Sequence, residues 1–78
     1  MARTAKNVNL VKLGDRIRAA RHGLSWSQED LADKADIDRS YVGGVERGER
    51  NIIFTTLCKF ASALKADVSK LAEGAPHD

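Results

Sequence analysis

Two helix-start signals in the middle of the chain constrain its fold more than any other feature. The first is Ser27, which is followed by a glutamine and two acidic residues, and the second is Asp38, which comes shortly after a turn at Asp36. A side-chain oxygen at such a start accepts a hydrogen bond from a free backbone amide, and acidic residues favour the positive end of the helix dipole. The two starts leave room for helices of roughly eight residues joined by a turn of about three to four, which is the spacing of a helix-turn-helix unit.

The other elements follow from apolar residues that recur every three or four positions. The first helix runs from Leu10 towards Gly23, with Asn7 or Asn9 as its cap. The apolar stripes comprise Leu10, Leu13, Gly14, Ile17 and Ala20 in the first helix, Leu31, Ala32 and Ala35 in the second, Val42 and Val45 in the third, and Phe54, Leu57, Cys58, Ala61 and Leu64 with Phe60 beside them in the fourth. A last short helix is indicated by Val68, Leu71 and Ala72, which follow Asp67. Because no segment alternates with period two over the length of a strand, the sequence predicts an all-α fold of five helices.

The 78 residues are enough for one hydrophobic core. We expect this domain over residues 9–74, between a flexible basic tail at 1–8 and a short tail at 75–78, with no separate catalytic or ligand-sensing domain. The single cysteine, Cys58, cannot form a disulfide within one chain, and we expect an inert buried thiol. The longest apolar run, residues 52–54, is far too short for a membrane span or a signal-peptide core, so we expect a cytoplasmic protein with no membrane partner.

Charge is segregated along the chain, although the net charge is only +2. Residues 1–21 carry six basic side chains against one acid, Asp15, whereas residues 27–38 carry five acids against one base, Lys34. An affinity for nucleic acid therefore cannot be derived from net charge and depends on where folding places individual arginines.

Four segments resemble the Cro and phage-repressor helix-turn-helix family: residues 17–21 (IRAAR), 26–32 (WSQEDLA), 35–38 (ADID) and 41–51 (YVGGVERGERN). Within that family, the run from Asp38 to Tyr41, the run from Val45 to Arg47, and Asn51 are most similar to restriction-modification controller proteins. The resemblance covers about residues 10–72 and implies a five-helix lambda-repressor-like DNA-binding domain. It also implies a sequence-specific transcription regulator that binds double-stranded DNA as a homodimer on a palindromic or pseudo-palindromic operator. An autoregulatory controller of a restriction-modification system is the narrower role that it implies.

The third helix is the recognition helix of such a unit, and its amino end supplies the candidate base contacts. Arg39 can offer its guanidinium to the O6 and N7 acceptors of guanine, and Ser40 or Tyr41 can reach a neighbouring base edge or a phosphate. By resemblance Gly44 also faces the bases, where its base pair would be recognised by shape or by a methyl contact. Gly43 and Gly44 each cost about 0.5–1 kcal/mol in a helix relative to alanine. We expect the reason to be either close approach of the backbone to DNA or close packing against the second or fourth helix.

Five residues are candidates for phosphate contacts. Ser27 and Gln28 stand at the start of the second helix, where free amides and the helix dipole favour a phosphate. Ser27 must also serve as the cap, which makes Gln28 the better candidate of the two. Arg47, Arg50 and Asn51 follow the recognition helix and can reach a flanking phosphate, and solvation without a partner is the alternative for each exposed arginine.

Arg21 and Glu46 resemble the family's pair that joins the first helix to the recognition helix. A bidentate bond between them would fix the recognition helix against the core, and Arg21 could in addition touch a phosphate. We expect Arg18, by contrast, to be solvent-exposed.

Some residues depart from the family's pattern. Ser25 and Lys65 stand where the family usually has glycine in a left-handed turn, and Asp36 replaces the glycine or asparagine of the central turn. Aspartate tolerates that conformation better than serine or lysine does. Ala20 replaces a usual leucine, and we expect Trp26 to fill the space in the core rather than to stack on a base.

A dimer is expected because one domain of this size buries a modest surface on DNA, so that useful affinity requires two half-sites roughly 34 Å apart. The resemblance places the contact between protomers at the fourth and fifth helices. The candidate interface residues are Asn51, Ile52, Thr55, Val68 and Leu71, of which the apolar ones could instead belong to the core. The monomer–dimer equilibrium would then set operator occupancy, and RNA polymerase would be a further partner if the protein activates transcription.

A protein-interaction module is the alternative, such as an antitoxin or antirepressor with the same fold, and the acidic stretch around the second helix favours it. An enzyme is the third class considered. No Ser/His/Asp set, phosphate-binding glycine loop or pair of carboxylates in a cleft can be assembled from the sequence. Because His22 and His77 are not spaced for a metal, the sequence predicts no catalytic residue, no metal site and no cofactor.

Overall fold

The computed structural model of the protein describes residues 7–72, which contain five helices. They are α1 (Val8–Gly23), α2 (Gln28–Ala35), α3 (Arg39–Glu46), α4 (Phe54–Leu64) and α5 (Val68–Leu71). Residues 7–72 contain no strand, which confirms the all-α prediction. The helix α1 begins one residue before the predicted start of the domain, while residues 1–6 of the first predicted tail and the whole of the second lie outside the described residues. None of the described helices is long and apolar enough to cross a membrane.

Side-chain oxygens cap the first three helices. Asn7 Oδ1 accepts a hydrogen bond of 2.8 Å from an amide in the first turn of α1. Ser27 Oγ accepts one of 3.0 Å from the amide of Asp30, whose carboxylate accepts one of 2.9 Å from the amide of Ser27. Asp38 accepts one of 3.0 Å from the amide two residues later. Both predicted helix starts are confirmed, and each is fixed by local chemistry.

Within residues 7–72, three residues other than glycine adopt the left-handed conformation. Their φ angles are 60° at Ser25, 57° at Asp36 and 55° at Lys65, which are the positions where the sequence departs from a glycine pattern. Asp36 ends α2 and Lys65 ends α4. The turn at Asp36 is the one that sets the angle between α2 and α3.

The core lies where the first four helices meet and is closed by α5. Its fully buried side chains are Ile17 of α1, Leu31 of α2, Val42 of α3 and Phe60 of α4. The remaining buried apolar residues are Ala32, Ala35, Val45, Ala61, Leu64 and Leu71. Trp26 is half-buried and packs against this core, so its predicted role as a filler is confirmed.

The fourth helix differs from the prediction. Its apolar face is wide, and only the part formed by Phe60, Ala61 and Leu64 meets the other helices closely enough to be buried. Phe54, which was expected on the buried stripe, is 67% exposed because it is the first residue of the helix and projects beyond that contact. Cys58 is half-buried rather than buried.

Candidate nucleic-acid interface

The amino end of α3 projects from the domain. Arg39 and Ser40 are exposed, and Asp38 holds the first turn by accepting hydrogen bonds from both the amide and the hydroxyl of Ser40. These hydrogen bonds, with a smaller contribution from the charge of Arg39, hold the pKa of the Asp38 carboxyl below its usual value. The Arg39 side chain is therefore carried on a helix end whose backbone is fixed by a charged cap.

Gln28 connects the start of α2 to both ends of α3. Its Oε1 accepts a hydrogen bond of 3.1 Å from Arg39 Nη1, and its Nε2 donates one of 3.0 Å to Glu46 Oε1. These contacts were not predicted from the sequence, which assigned Gln28 to a phosphate. They leave the second hydrogen of the Gln28 amide as the group that such a contact would use.

Arg21 and Glu46 are joined by two hydrogen bonds, from Arg21 Nε to Oε2 at 2.7 Å and from Arg21 Nη2 to Oε1 at 2.8 Å. Both residues are buried, at 7% and 2% exposure, and Arg21 Nη1 also donates to the carbonyl of Trp26 at 2.9 Å. Burial by itself raises the pKa of the Glu46 carboxyl. The hydrogen bonds from Arg21 and Gln28 and the nearby arginine charges outweigh burial, so that this pKa lies below its usual value.

The pKa of Arg21 moves in the opposite direction. Its hydrogen bonds with Glu46 raise the pKa, burial lowers it, and the charge of Glu46 raises it again, with a net increase. Both groups are thus charged at neutral pH, and the pair links α1 to the last residue of α3.

Arg18 is half-buried, and the expectation that it is solvent-exposed is wrong. Its Nη2 donates to the backbone carbonyl of Glu46 at 2.8 Å, and its Nη1 donates to Asp15 at 3.0 Å. The cause is a close approach of α1 to the carboxyl end of α3 at Gly14, where an ideal Cβ would lie 2.5 Å from the carbonyl oxygen of Val45. Arg18, one turn later on α1, reaches a free carbonyl at the negative end of the α3 dipole.

Gly43 and Gly44 are both buried, beneath side chains rather than beneath a helix backbone. A Cβ at Gly43 would lie 3.1 Å from Arg47 Nη1 and 3.5 Å from Gln28 Oε1, and a Cβ at Gly44 would lie 2.9 Å from Arg50 Cγ. Of the two reasons predicted for these glycines, close packing against the second helix is confirmed for Gly43, because the Gln28 side chain of α2 covers it. No residue of α4 is among the atoms nearest to either glycine.

The loop after α3 folds back onto that helix. Arg50 Cζ lies 5.3 Å from the centroid of the Tyr41 ring, and Arg47 Nε donates to Glu49 Oε1 at 2.9 Å. Tyr41 is half-buried and packs against the core, unlike the exposed residues at the amino end of α3. Asn51 is exposed. The structure therefore brings Arg50, which was predicted to contact phosphate, next to Tyr41 and Gly44, which were predicted to contact bases.

The predicted dimer residues do not form one exposed surface. Asn51 and Thr55 are exposed, and Ile52 and Val68 are half-buried against the core. Leu71 is 3% exposed, so its assignment to an interface is wrong: it belongs to the core of the domain.

Two apolar side chains that were not predicted at the surface, Ile53 and Phe54, are 65% and 67% exposed. The signal for them was the apolar run at residues 52–54. In the sequence that run served only to exclude a membrane span, and Ile53 was assigned neither to the core nor to the interface.

Residues 7–72 contain no group of three or more histidine, cysteine or acidic side chains that could hold a metal ion. His22 is exposed at the end of α1, and His77 lies outside the described residues.

Comparison with known proteins gives matches over most of the chain. The HTH_3 family, described as helix-turn-helix, matches residues 17–71. Control protein C.SmaI of Serratia marcescens is 42% identical over 59 residues, which cover 76% of this chain and 70% of that protein.

Solved structures agree with these matches. The restriction-modification controller protein C.AhdI from Aeromonas hydrophila has a TM-score of 0.81 and 46% identity, covering 83% of this chain and 98% of that one. The restriction-modification controller protein C.Esp1396I, solved as a tetramer in complex with its natural 35 base-pair operator, has a TM-score of 0.75 and 29% identity, covering 85% of this chain and 96% of that one.

Proposed function

Because the chain belongs to the HTH_3 helix-turn-helix family, we propose that it is a sequence-specific transcription regulator that binds double-stranded DNA through α3. The observation that carries this proposal is the exposed amino end of α3, where Arg39 lies against the neutral amide of Gln28. A guanine would compete with one neutral hydrogen bond at this position rather than with an ion pair. An arginine presented in this way can donate two hydrogen bonds to guanine O6 and N7.

The role of autoregulatory controller in a restriction-modification system is supported by the similar proteins. C.AhdI and C.Esp1396I are restriction-modification controller proteins, and the latter was solved with its operator. By analogy, this chain acts on an operator with inverted symmetry, which matches the two-fold symmetry of a homodimer. The protein acts in the cytoplasm and has no enzymatic activity in this proposal. RNA polymerase is a further partner if the regulator activates as well as represses.

Self-association is supported by the surface at the start of α4. Ile53 and Phe54 are adjacent, apolar and mostly exposed, and the exposed polar side chains of Asn51 and Thr55 flank them. Aromatic side chains surrounded by polar ones are typical of the centre of a protein–protein interface. A second copy of the chain that covers this patch brings two α3 helices onto one operator.

Random-site selection from a pool of duplexes tests DNA recognition. The expected result is an inverted repeat with a guanine in each half-site at which Arg39→Ala relaxes the preference by about 1–3 kcal/mol. Arg16→Ala, which removes the same charge from the exposed surface of α1, is the matched control and should leave the recovered sequence unchanged. If wild-type protein enriches no sequence, the proposal is wrong.

A protein-interaction module is the second candidate function. It is favoured by the exposed acidic side chains of α2, Glu29, Asp30 and Asp33. In that case Arg39→Ala leaves the affinity for the protein partner nearly unchanged, whereas charge reversal at Asp33 lowers it. Measuring both variants against DNA and against a candidate partner separates the two functions.

A further inference from the structure

A cavity lies between α1, α4 and the end of α5, on a part of the domain that the proposed DNA contacts do not use. Its volume is about 150 Å³. Its wall is mainly apolar and is formed by Leu10 and Leu13 of α1, Leu57 of α4, and Leu71 and Ala72 at the end of α5. The exposed side chain of Lys12 also lines it. None of these residues is a candidate for contact with a base or a phosphate.

The cavity follows from apolar side chains that the core covers only in part. Leu10, Leu13 and Leu57 are half-buried, although their spacing places them on the apolar stripes of α1 and α4. Ala72 is exposed and offers only a methyl group beside them. The space therefore depends on the small size of one side chain at the mouth of the cavity.

Asn9 supplies a polar group that has no partner at this site. It lines the same cavity, and its Oδ1 is buried and accepts no hydrogen bond. Among the buried side-chain oxygens and nitrogens of residues 7–72, it is the one in this state. A buried acceptor without a donor is costly, so a donor that reaches it regains free energy. Water satisfies such a site poorly, because a buried water needs about two to four polar partners and leucine side chains provide none.

We propose that this cavity is a binding site for a small apolar molecule that carries one hydrogen-bond donor, of the chemical class that phenol represents. An apolar cavity of roughly this volume holds one benzene-sized molecule. The aromatic ring lies against the leucine side chains, and the hydroxyl group donates to Asn9 Oδ1. Such a site gives the protein a response to a small molecule in a single domain. The proposal does not depend on DNA binding, since it can be tested without an operator.

The test compares phenol with toluene, which has the same number of heavy atoms but carries a methyl group in place of the hydroxyl. Both are titrated into the full-length protein, and NMR of the leucine methyl groups gives the two dissociation constants. Toluene is the more hydrophobic of the two, so tighter binding of phenol requires a hydrogen bond. We expect phenol to bind about 3–10-fold more tightly, with magnetisation transfer from its ring protons to the methyl groups of Leu57 and Leu71. We also expect each bound ligand to raise the unfolding temperature.

Two variants examine the acceptor and the space separately. Asn9→Leu removes the acceptor, so it should abolish the preference for phenol while toluene still binds. Ala72→Phe places a ring at the cavity and should weaken the binding of both molecules by about tenfold or more. Ala19→Phe, the same substitution at an exposed position of α1, is the matched control and should leave both dissociation constants unchanged.

Three results would overturn the proposal. The first is that neither molecule binds in a saturable way. The second is that toluene binds the wild type as tightly as phenol, or that Asn9→Leu keeps the preference for phenol. The third is magnetisation transfer, in the free protein, between the cavity leucines and either residues outside 7–72 or a second copy of the chain, because the cavity would then be filled by polypeptide.

Discussion

Arg21 on α1 and Glu46 at the end of α3 form a buried ion pair with two hydrogen bonds, of 2.7 and 2.8 Å. The pair fixes the carboxyl end of α3 to the core, whereas the amino end of α3 is the one proposed to enter DNA. Gln28 extends the connection, because its amide contacts Glu46 on one side and Arg39 on the other. Arg39, the main candidate for base recognition, is thus linked through Gln28 to the buried pair of Arg21 and Glu46.

Replacing one member of the pair should be strongly destabilising. Arg21→Met leaves the Glu46 carboxylate buried without its main partner, and we expect a loss of about 3–5 kcal/mol in the free energy of unfolding. Urea unfolding measures this loss. The double variant Arg21→Met with Glu46→Met should recover most of it, since no charge then remains unpaired; a double variant that is less stable than Arg21→Met would contradict this account.

The stability of the protein should fall on the acidic side of neutrality. Folding lowers the pKa of Glu46, and that of Asp38, below the values of about 4.3 and 3.9 for the unfolded chain. The stabilisation is therefore fully present above those unfolded values and is lost as the pH falls through the lower values of the folded protein. Urea unfolding between pH 7 and pH 3 should show this decline, with a smaller slope in Glu46→Gln. If the free energy of unfolding falls equally steeply with pH in the wild type and in Glu46→Gln, Glu46 does not contribute to the acid sensitivity.

Gly14 should be intolerant of a side chain, because α1 and α3 touch there through their backbones. An ideal Cβ would lie 2.5 and 2.6 Å from the carbonyl oxygens of Val45 and Glu46, so Gly14→Ala should cost about 1–3 kcal/mol. Gly23→Ala is the matched control, since no atom lies within 4 Å of its Cβ, and alanine there should stabilise the protein by about 0.5–1 kcal/mol. Thermal or urea unfolding of the two variants measures the contrast, and equal effects would rule out the close contact.

Self-association should depend on the exposed patch at the start of α4. Phe54→Ser removes a side chain that is 67% exposed, so it should leave the stability of the monomer nearly unchanged while raising the dimer dissociation constant by about tenfold or more. Sedimentation equilibrium over a concentration series measures the effect. Ser62→Ala, at an exposed position later on α4, should leave the dissociation constant unchanged. A wild-type protein that stays monomeric over the whole concentration series would contradict the proposed self-association.

The parts of the fold that could be predicted from the sequence are those set by neighbours along the chain. The caps at Ser27 and Asp38 depend on an oxygen that reaches an amide two or three residues later. The left-handed turn at Asp36 likewise depends on local backbone chemistry. These features fix the helix-turn-helix geometry and hence the exposure of Arg39.

The parts that could not be predicted depend on where one helix crosses another. Periodicity marks an apolar face but not the portion of it that a neighbouring helix covers, which is why Phe54 was assigned to the core and Leu71 to the surface. The contact of Arg18 with the carboxyl end of α3 follows from the close approach at Gly14, and the position of Arg50 over Tyr41 follows from the path of a loop. Neither is encoded in residue spacing.

The most direct test of the account is a titration of isotope-labelled protein with the selected operator duplex, followed by NMR of the backbone amides. The account predicts that the largest shift changes lie at residues 27–28, 39–44 and 47–51, and that a scrambled duplex of equal length at the same salt concentration produces much smaller ones. Changes confined to α4 and α5, with the amides of α3 unaffected, would contradict recognition of DNA by the amino end of α3.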